Sequence, residues 1–168
     1  YDEHSRRLIS VGRLTHQKNY PLLIDIAEKL LKEHIASGAD ITLLYHSVEN
    51  ANEAYLNCEY LTLNRQGGVL SLGKNRGDEA QRDIFMGTYV MKTELFIEMI
   101  QKARALSSMY TLAQIVNLSC EELDVRGYAH EGYFAAITDL KSYYDANLSL
   151  IKCDFPEHVG PITIVIAI

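Results

Sequence analysis

The sequence predicts an α/β fold, a single domain in which a mixed β-sheet is flanked by helices. Three observations carry that expectation. Residues 7–45 read as strand, helix and strand in succession. Residues 59–74 read as two short strands joined by a glycine turn. Later segments return to a helical period in their apolar positions.

Arg7–Gly12 is a short, mostly apolar strand that ends at a glycine. A polar loop, Arg13 to Asn19, leads to Pro21, which suits a first helical turn because its missing N–H has no bond to make there. Leu22, Leu23, Ile26, Ala27, Leu30 and Leu31 recur at helical spacing, with Asp25, Glu28, Lys29 and Lys32 on the other side. Ser37-Gly38 is a helix stop, since glycine accepts the left-handed conformation that ends many helices. Ile41–Tyr45 completes a Rossmann-like βαβ start, for which a parallel pair and a right-handed crossover are expected.

Past residue 46 the pattern changes. Glu59–Asn64 and Val69–Lys74 flank Arg65-Gln66-Gly67-Gly68, a hairpin signal because glycine accepts the positive φ of a tight turn. Ile84–Met91 is a further strand. Thr93 caps a helix running to about Leu106, whose inner face is Leu95, Phe96, Met99, Ile100 and Ala103. A second helix is expected over Thr111–Leu118. Asp124–Ile137 has strand character broken at Gly127 and at Glu131-Gly132, which predicts a second hairpin. Asp139 then caps a helix with the apolar stripe Leu140, Tyr143, Tyr144, Leu148 and Ile151. The tail Ile162–Ile168, after Pro161, is an unbroken apolar and β-branched run, a buried strand if it has partners and an aggregation-prone end if not.

Composition bounds the function. With 48% hydrophobic and 23% charged residues in 168, the chain has enough apolar material for a core without disulfides or metal. Its 22 Asp and Glu outnumber 16 Lys and Arg, which argues against non-specific binding to nucleic acid or to an anionic membrane. No apolar run approaches the roughly 20 residues that span a bilayer. No secretory signal is visible before the short apolar run Leu8 to Val11, and the chain opens on Tyr1 rather than Met, as a fragment or processed product would.

Cys58, Cys120 and Cys153 are odd in number and far apart, so a disulfide framework is not expected and a reducing cytoplasm is the simplest location. His4, His16, His34, His46, His130 and His158 lack the spacing of a zinc-binding helix.

Two stretches carry family resemblances. Ile9-Ser10-Val11-Gly12-Arg13-Leu14, Gln17-Lys18-Asn19 and Pro21-Leu22-Leu23-Ile24 resemble the opening of the donor-binding half of GT-B glycosyltransferases. That resemblance implies that Arg13 and Lys18 contact the diphosphate of a sugar nucleotide, two cations neutralising a leaving group beside a helix N-terminus. The acidic motif that binds the donor sugar in that family is not found downstream.

The second resemblance covers residues 35–151. Ser37-Gly38-Ala39-Asp40-Ile41-Thr42, Leu56-Asn57-Cys58, Leu72-Gly73-Lys74-Asn75, Met86-Gly87-Thr88-Tyr89-Val90-Met91 and Ser142-Tyr143-Tyr144-Asp145-Ala146-Asn147-Leu148 occur in the order found in bacterial glucose-1-phosphate adenylyltransferases (ADP-glucose pyrophosphorylases). They are most similar to the regulatory, GlgD-type subunit. The resemblance implies a nucleotidyltransferase-like fragment whose Lys74 and Tyr89 contact a sugar phosphate. It also implies a catalytic adenylyltransferase subunit as partner; the acidic charge balance and the lack of a long apolar run leave no nucleic acid and no membrane expected. Catalytic members pair this lysine with a preceding glutamate, where Gly73 stands here, and have a serine where Phe85 stands. Their metal-holding aspartate aligns with Ala136, and Asp139 falls three residues too late. Nucleotidyl transfer needs a carboxylate there to hold Mg²⁺, so Mg²⁺ is expected only if the chain is catalytic. Tyr143-Tyr144 is expected in the core.

The resemblances meet in one helix near Lys32–Ile35, where an exchange would keep the crossover intact, and residues 152–168 match neither. The expectation is therefore a non-catalytic, GlgD-type module of glycogen biosynthesis that binds glucose 1-phosphate or ADP-glucose. The alternatives are a GT-B-type donor-binding fragment and a hybrid or designed scaffold with no ligand.

Overall fold

The computed structural model of the chain describes residues 20–105 and 111–152. Their elements run α1 (Tyr20–Ser37), β1 (Ile41–Val48), β2 (Glu59–Leu63), β3 (Val69–Lys74), β4 (Arg82–Met91), α2 (Thr93–Ala105), α3 (Leu112–Ser119), β5 (Val125–Ala129) and α4 (Leu140–Lys152). The five strands form one mixed sheet in the order β3-β2-β4-β1-β5, with helices on its flanks, so the fold is α/β as expected. No helix among the described residues is long and apolar enough to cross a membrane.

Alternation along the strands sends side chains to two faces, and both faces are covered. On one, Ile41 and Leu43 of β1, Leu61 of β2, Phe85 of β4 and Val125 of β5 pack with Met99 and Ala103 of α2 and Ile115 and Val116 of α3. On the other, Leu44, Val48, Ile84 and Met86 pack with Leu30 of α1, Ala51, Cys58 and Phe134. Burying each such aliphatic or aromatic side chain stabilises the fold by about 1.5–3 kcal/mol.

The expected parallel pairing between Arg7–Gly12 and Ile41–Tyr45 is not available. β1 is antiparallel to β4 from Ile41 to Val48 and parallel to β5 from Ile41 to Tyr45, so both of its edges are taken. Arg7–Gly12 itself lies outside the described residues, as do Cys153, His4, His16, His158 and the apolar run Ile162–Ile168. The only parallel pair among the described strands is β1 with β5.

Local signals place most elements. Gly38, at φ +67°, ends α1. Asp40 N–H donates to the Asp124 carbonyl at 2.9 Å and Asp124 N–H to Asp40 Oδ2 at 3.0 Å, which aligns the starts of β1 and β5. Thr111 and Gln114 form a capping box at the start of α3. Asp139 Oδ1 accepts from Ser142 N–H at 2.7 Å and so caps α4.

Three expectations fail. Residues 124–137 form no hairpin: β5 continues through Gly127, and the following segment packs Phe134 under α1. Gly127 is required there, because a Cβ would lie 2.9 Å from the Tyr45 ring and 3.0 Å from Leu63 Cδ2. This close approach lets the β2–β3 turn reach β5, where Gly127 N–H donates to the Gly67 carbonyl at 3.0 Å. Phe96 is exposed rather than on the inner face of α2. Most of the α4 stripe is also exposed: Leu140 and Ile151 retain 83% and 80% of their accessibility, and Tyr143 and Tyr144 are exposed instead of core, while Leu148 is half-buried.

Candidate functional site

Lys74 and Tyr89 come together through a residue that the motifs did not single out. β2 and β3 pair so that Glu59 lies directly opposite Lys74. Opposed residues of an antiparallel pair project from the same face. That is the face of Leu61 and Leu72, where Tyr89 packs as well. Tyr89 is half-buried with its ring edge-on to Phe85, centroids 5.0 Å apart at 71°.

The electrostatics link all three groups. Burial pushes the Glu59 carboxyl above its ordinary range, and the Lys74 charge pulls it partly back. Burial, with the Glu59 charge adding to it, pushes the Tyr89 hydroxyl up to about 12. Tyr89 is therefore a neutral phenol at any physiological pH, able to donate one hydrogen bond. Lys74, exposed at the strand end, offers a mobile cation. A cation, a half-buried carboxylate and a phenol suit a small ligand that carries both an anionic group and hydroxyls.

The strand ends bearing these groups are fixed from behind. Asn75 is fully buried; its Nδ2 donates to the carbonyls of Ala51 at 2.7 Å and Tyr55 at 2.9 Å, and its Oδ1 accepts from Gly77 N–H at 3.0 Å. It thus holds the 51–57 loop, which contains left-handed Tyr55 and Asn57, against the end of β3. Gly73 is the seat of the Tyr60 ring: a Cβ there would lie 2.6 Å from Tyr60 Cζ. The Arg82 guanidinium covers the same ring at 4.1 Å and is held by Asp78 at 2.7 Å. A larger residue at 73 would have to displace this stack.

The other expected site residues do not join the group. Ala136 packs against the cluster that contains Leu30, Leu44 and Phe134, on the opposite face of the sheet from Tyr89. Arg13 and Lys18 lie outside the described residues. Asp139 serves α4 as a cap. No group of three or more His, Cys, Asp or Glu side chains that could hold a metal ion occurs among the described residues. Cys58 and Cys120 are free thiols whose pKa values burial raises, which makes them weak nucleophiles.

A second concentration of functional groups lies at the carboxyl ends of β1 and β5. His46 Nδ1 is 2.8 Å from the His130 carbonyl, the His46 ring is 5.4 Å from that of Phe134, and Tyr55 stacks on Phe134 at 5.7 Å. Histidine spacing in the sequence gives no sign of this cluster, since its members are far apart along the chain and meet only through the parallel β1–β5 pairing. No known protein-family model matches the chain.

Proposed function

We propose that the chain is a non-catalytic, sugar-nucleotidyltransferase-like module of the GlgD type, which binds glucose 1-phosphate or ADP-glucose and docks on a catalytic adenylyltransferase subunit in glycogen synthesis. The observation that carries the reading is the placement of Glu59 between Lys74 and Tyr89. In catalytic members of the family that the motifs resemble, a glutamate precedes the lysine. Here Gly73 takes that position and Glu59 supplies a carboxylate from the neighbouring strand. Lys74 would take the phosphate as a point charge, Glu59 would accept from a sugar hydroxyl, and Tyr89 would donate to another.

Ala136 supports binding without turnover, since no carboxylate stands where the resemblance requires one for the metal. Two free thiols fit the reducing cytoplasm in which such a module would work. The test is a pair of assays on the full chain. Calorimetric titration with glucose 1-phosphate is expected to give saturable binding that Lys74→Ala weakens, while incubation with ATP, Mg²⁺ and glucose 1-phosphate is expected to give no ADP-glucose. Absence of binding, or turnover by the chain alone, overturns the reading.

A further inference from the structure

α4 turns its apolar side to solvent. At the helical period Ser142, Ala146 and Ser149 share one side. Ala146 is buried, both serines are half-buried, and the Ser149 hydroxyl meets that of Tyr133. The other arc holds Leu140, Tyr143, Tyr144 and Ile151, all exposed. Among the described side chains no other element exposes more than two large apolar groups. A helix of a globular protein ordinarily buries its apolar arc, and a contiguous apolar patch left open marks an interaction surface.

The chain itself supplies an occupant of matching chemistry. Ile162–Ile168, outside the described residues, carries no charge, and Ile162, Ile164, Ile166 and Ile168 alternate along it. Extended, such a run sets the four isoleucines on one face over about 20 Å. The stripe from Leu140 to Ile151 is about 16 Å long. Residues 153–161, which join the two, reach up to about 30 Å, enough to bring the run back over the helix it follows.

Other places are less open to it. At the outer strands of the sheet, Leu72 N–H of β3 donates to Asn117 Oδ1 at 2.6 Å, and Gly67 and Gly68 meet Gly127 and Arg126 of β5. A separate protein seated on α4 would lose translational and rotational freedom, a cost of about 4–15 kcal/mol that a tethered segment largely avoids. Left uncovered, the run is an aggregation-prone end.

We propose that α4 is the docking surface for the chain's own residues 162–168, whose isoleucines cover Leu140, Tyr143, Tyr144 and Ile151. The contact is independent of the ligand proposed at Lys74.

The sequence has no tryptophan, so Ile164→Trp and Ile166→Trp each place a single indole in the run of the full chain. In protein shown to be monomeric by sedimentation, both are expected to emit at the short wavelengths of a buried indole. Two changes to the stripe are each expected to shift that emission to the position of an indole in water, with circular dichroism unchanged. One is Leu140→Asp with Tyr144→Lys, an i,i+4 pair of opposite charges that favours the helix. The other is Ile151→Lys, which suits the helix C-terminus. Leu118→Lys, at an exposed apolar position of α3, is expected to leave the emission as it was. Water-exposed emission from both tryptophan variants before α4 is altered, as a face awaiting another protein would give, overturns the proposal. So does short-wavelength emission that survives both changes to the stripe, that Leu118→Lys abolishes equally, or that comes only from dimers and is lost on dilution.

Discussion

His34 of α1 and Thr42 of β1 are joined at 2.8 Å, Nδ1 to Oγ1, in a buried contact that ties the helix to the sheet. Burial lowers the His34 pKa, the nearby Lys92 charge lowers it further, and Asp40 opposes both. Folding therefore disfavours the imidazolium. Above the ordinary histidine value neither state binds the proton, and between that value and the lowered one only the unfolded chain does. Stability is thus full above about pH 6.5 and falls as the pH drops below it. Thermal unfolding midpoints at a series of pH values are expected to decline through this window for wild type and to decline less for His34→Gln. Parallel curves for the two proteins would remove His34 as the cause.

Asn75, itself fully buried, satisfies two backbone carbonyls and one N–H. Asn75→Ala strips the Ala51 carbonyl and the Gly77 N–H of this partner and leaves the Tyr55 carbonyl only its bond from Cys58 N–H at 3.2 Å, and an unpaired buried polar group costs about 1–3 kcal/mol. Denaturant unfolding is expected to show a loss of about 3 kcal/mol. A loss under about 1 kcal/mol would mean that the 51–57 loop is held by other contacts.

Tyr60 and Gly73 are a coupled pair, since the ring occupies the space of a Cβ and Arg82 pins it from above. Gly73→Ala is expected to cost about 1–3 kcal/mol from overpacking. In a Tyr60→Ala background the same change is expected to cost much less. The coupling is read from a double-mutant cycle of unfolding free energies, and additive effects contradict it.

Much of this architecture is legible in the sequence because it is local. The glycine pair in 65–68 marks the hairpin, Thr111 and Asp139 mark helix starts, and Gly38 marks a helix end, each acting on its immediate neighbours. Pairing is not local. Strand character over 124–137 cannot choose a partner, and β5 joins β1 through the Asp40–Asp124 contacts between distant segments. The period of α4 marks a stripe but not whether anything covers it. Leu140, Tyr143, Tyr144 and Ile151 are exposed, while Ala146 is buried.

The site illustrates the same boundary. Lys74 and Tyr89 sit in motifs that could be read, whereas Glu59 depends on register. Extended from the Leu63–Val69 pair, the register would set Glu59 against Gly73. An irregularity between Thr62 and Leu63 shifts it by one, to Lys74. A one-residue shift changes which face a side chain shares with its opposite number, and nothing in the run Glu59–Asn64 announces it.

The most direct test of the proposed site is the coupling between Glu59 and Lys74 in ligand binding. Glucose 1-phosphate affinity would be measured by titration calorimetry for wild type, Glu59→Gln, Lys74→Ala and the double variant. If the two residues grip one ligand, each single variant loses roughly tenfold or more in affinity, about 1.4 kcal/mol, and the double variant loses less than the sum of the two. Wild-type affinity in Glu59→Gln, or fully additive losses, would contradict the account.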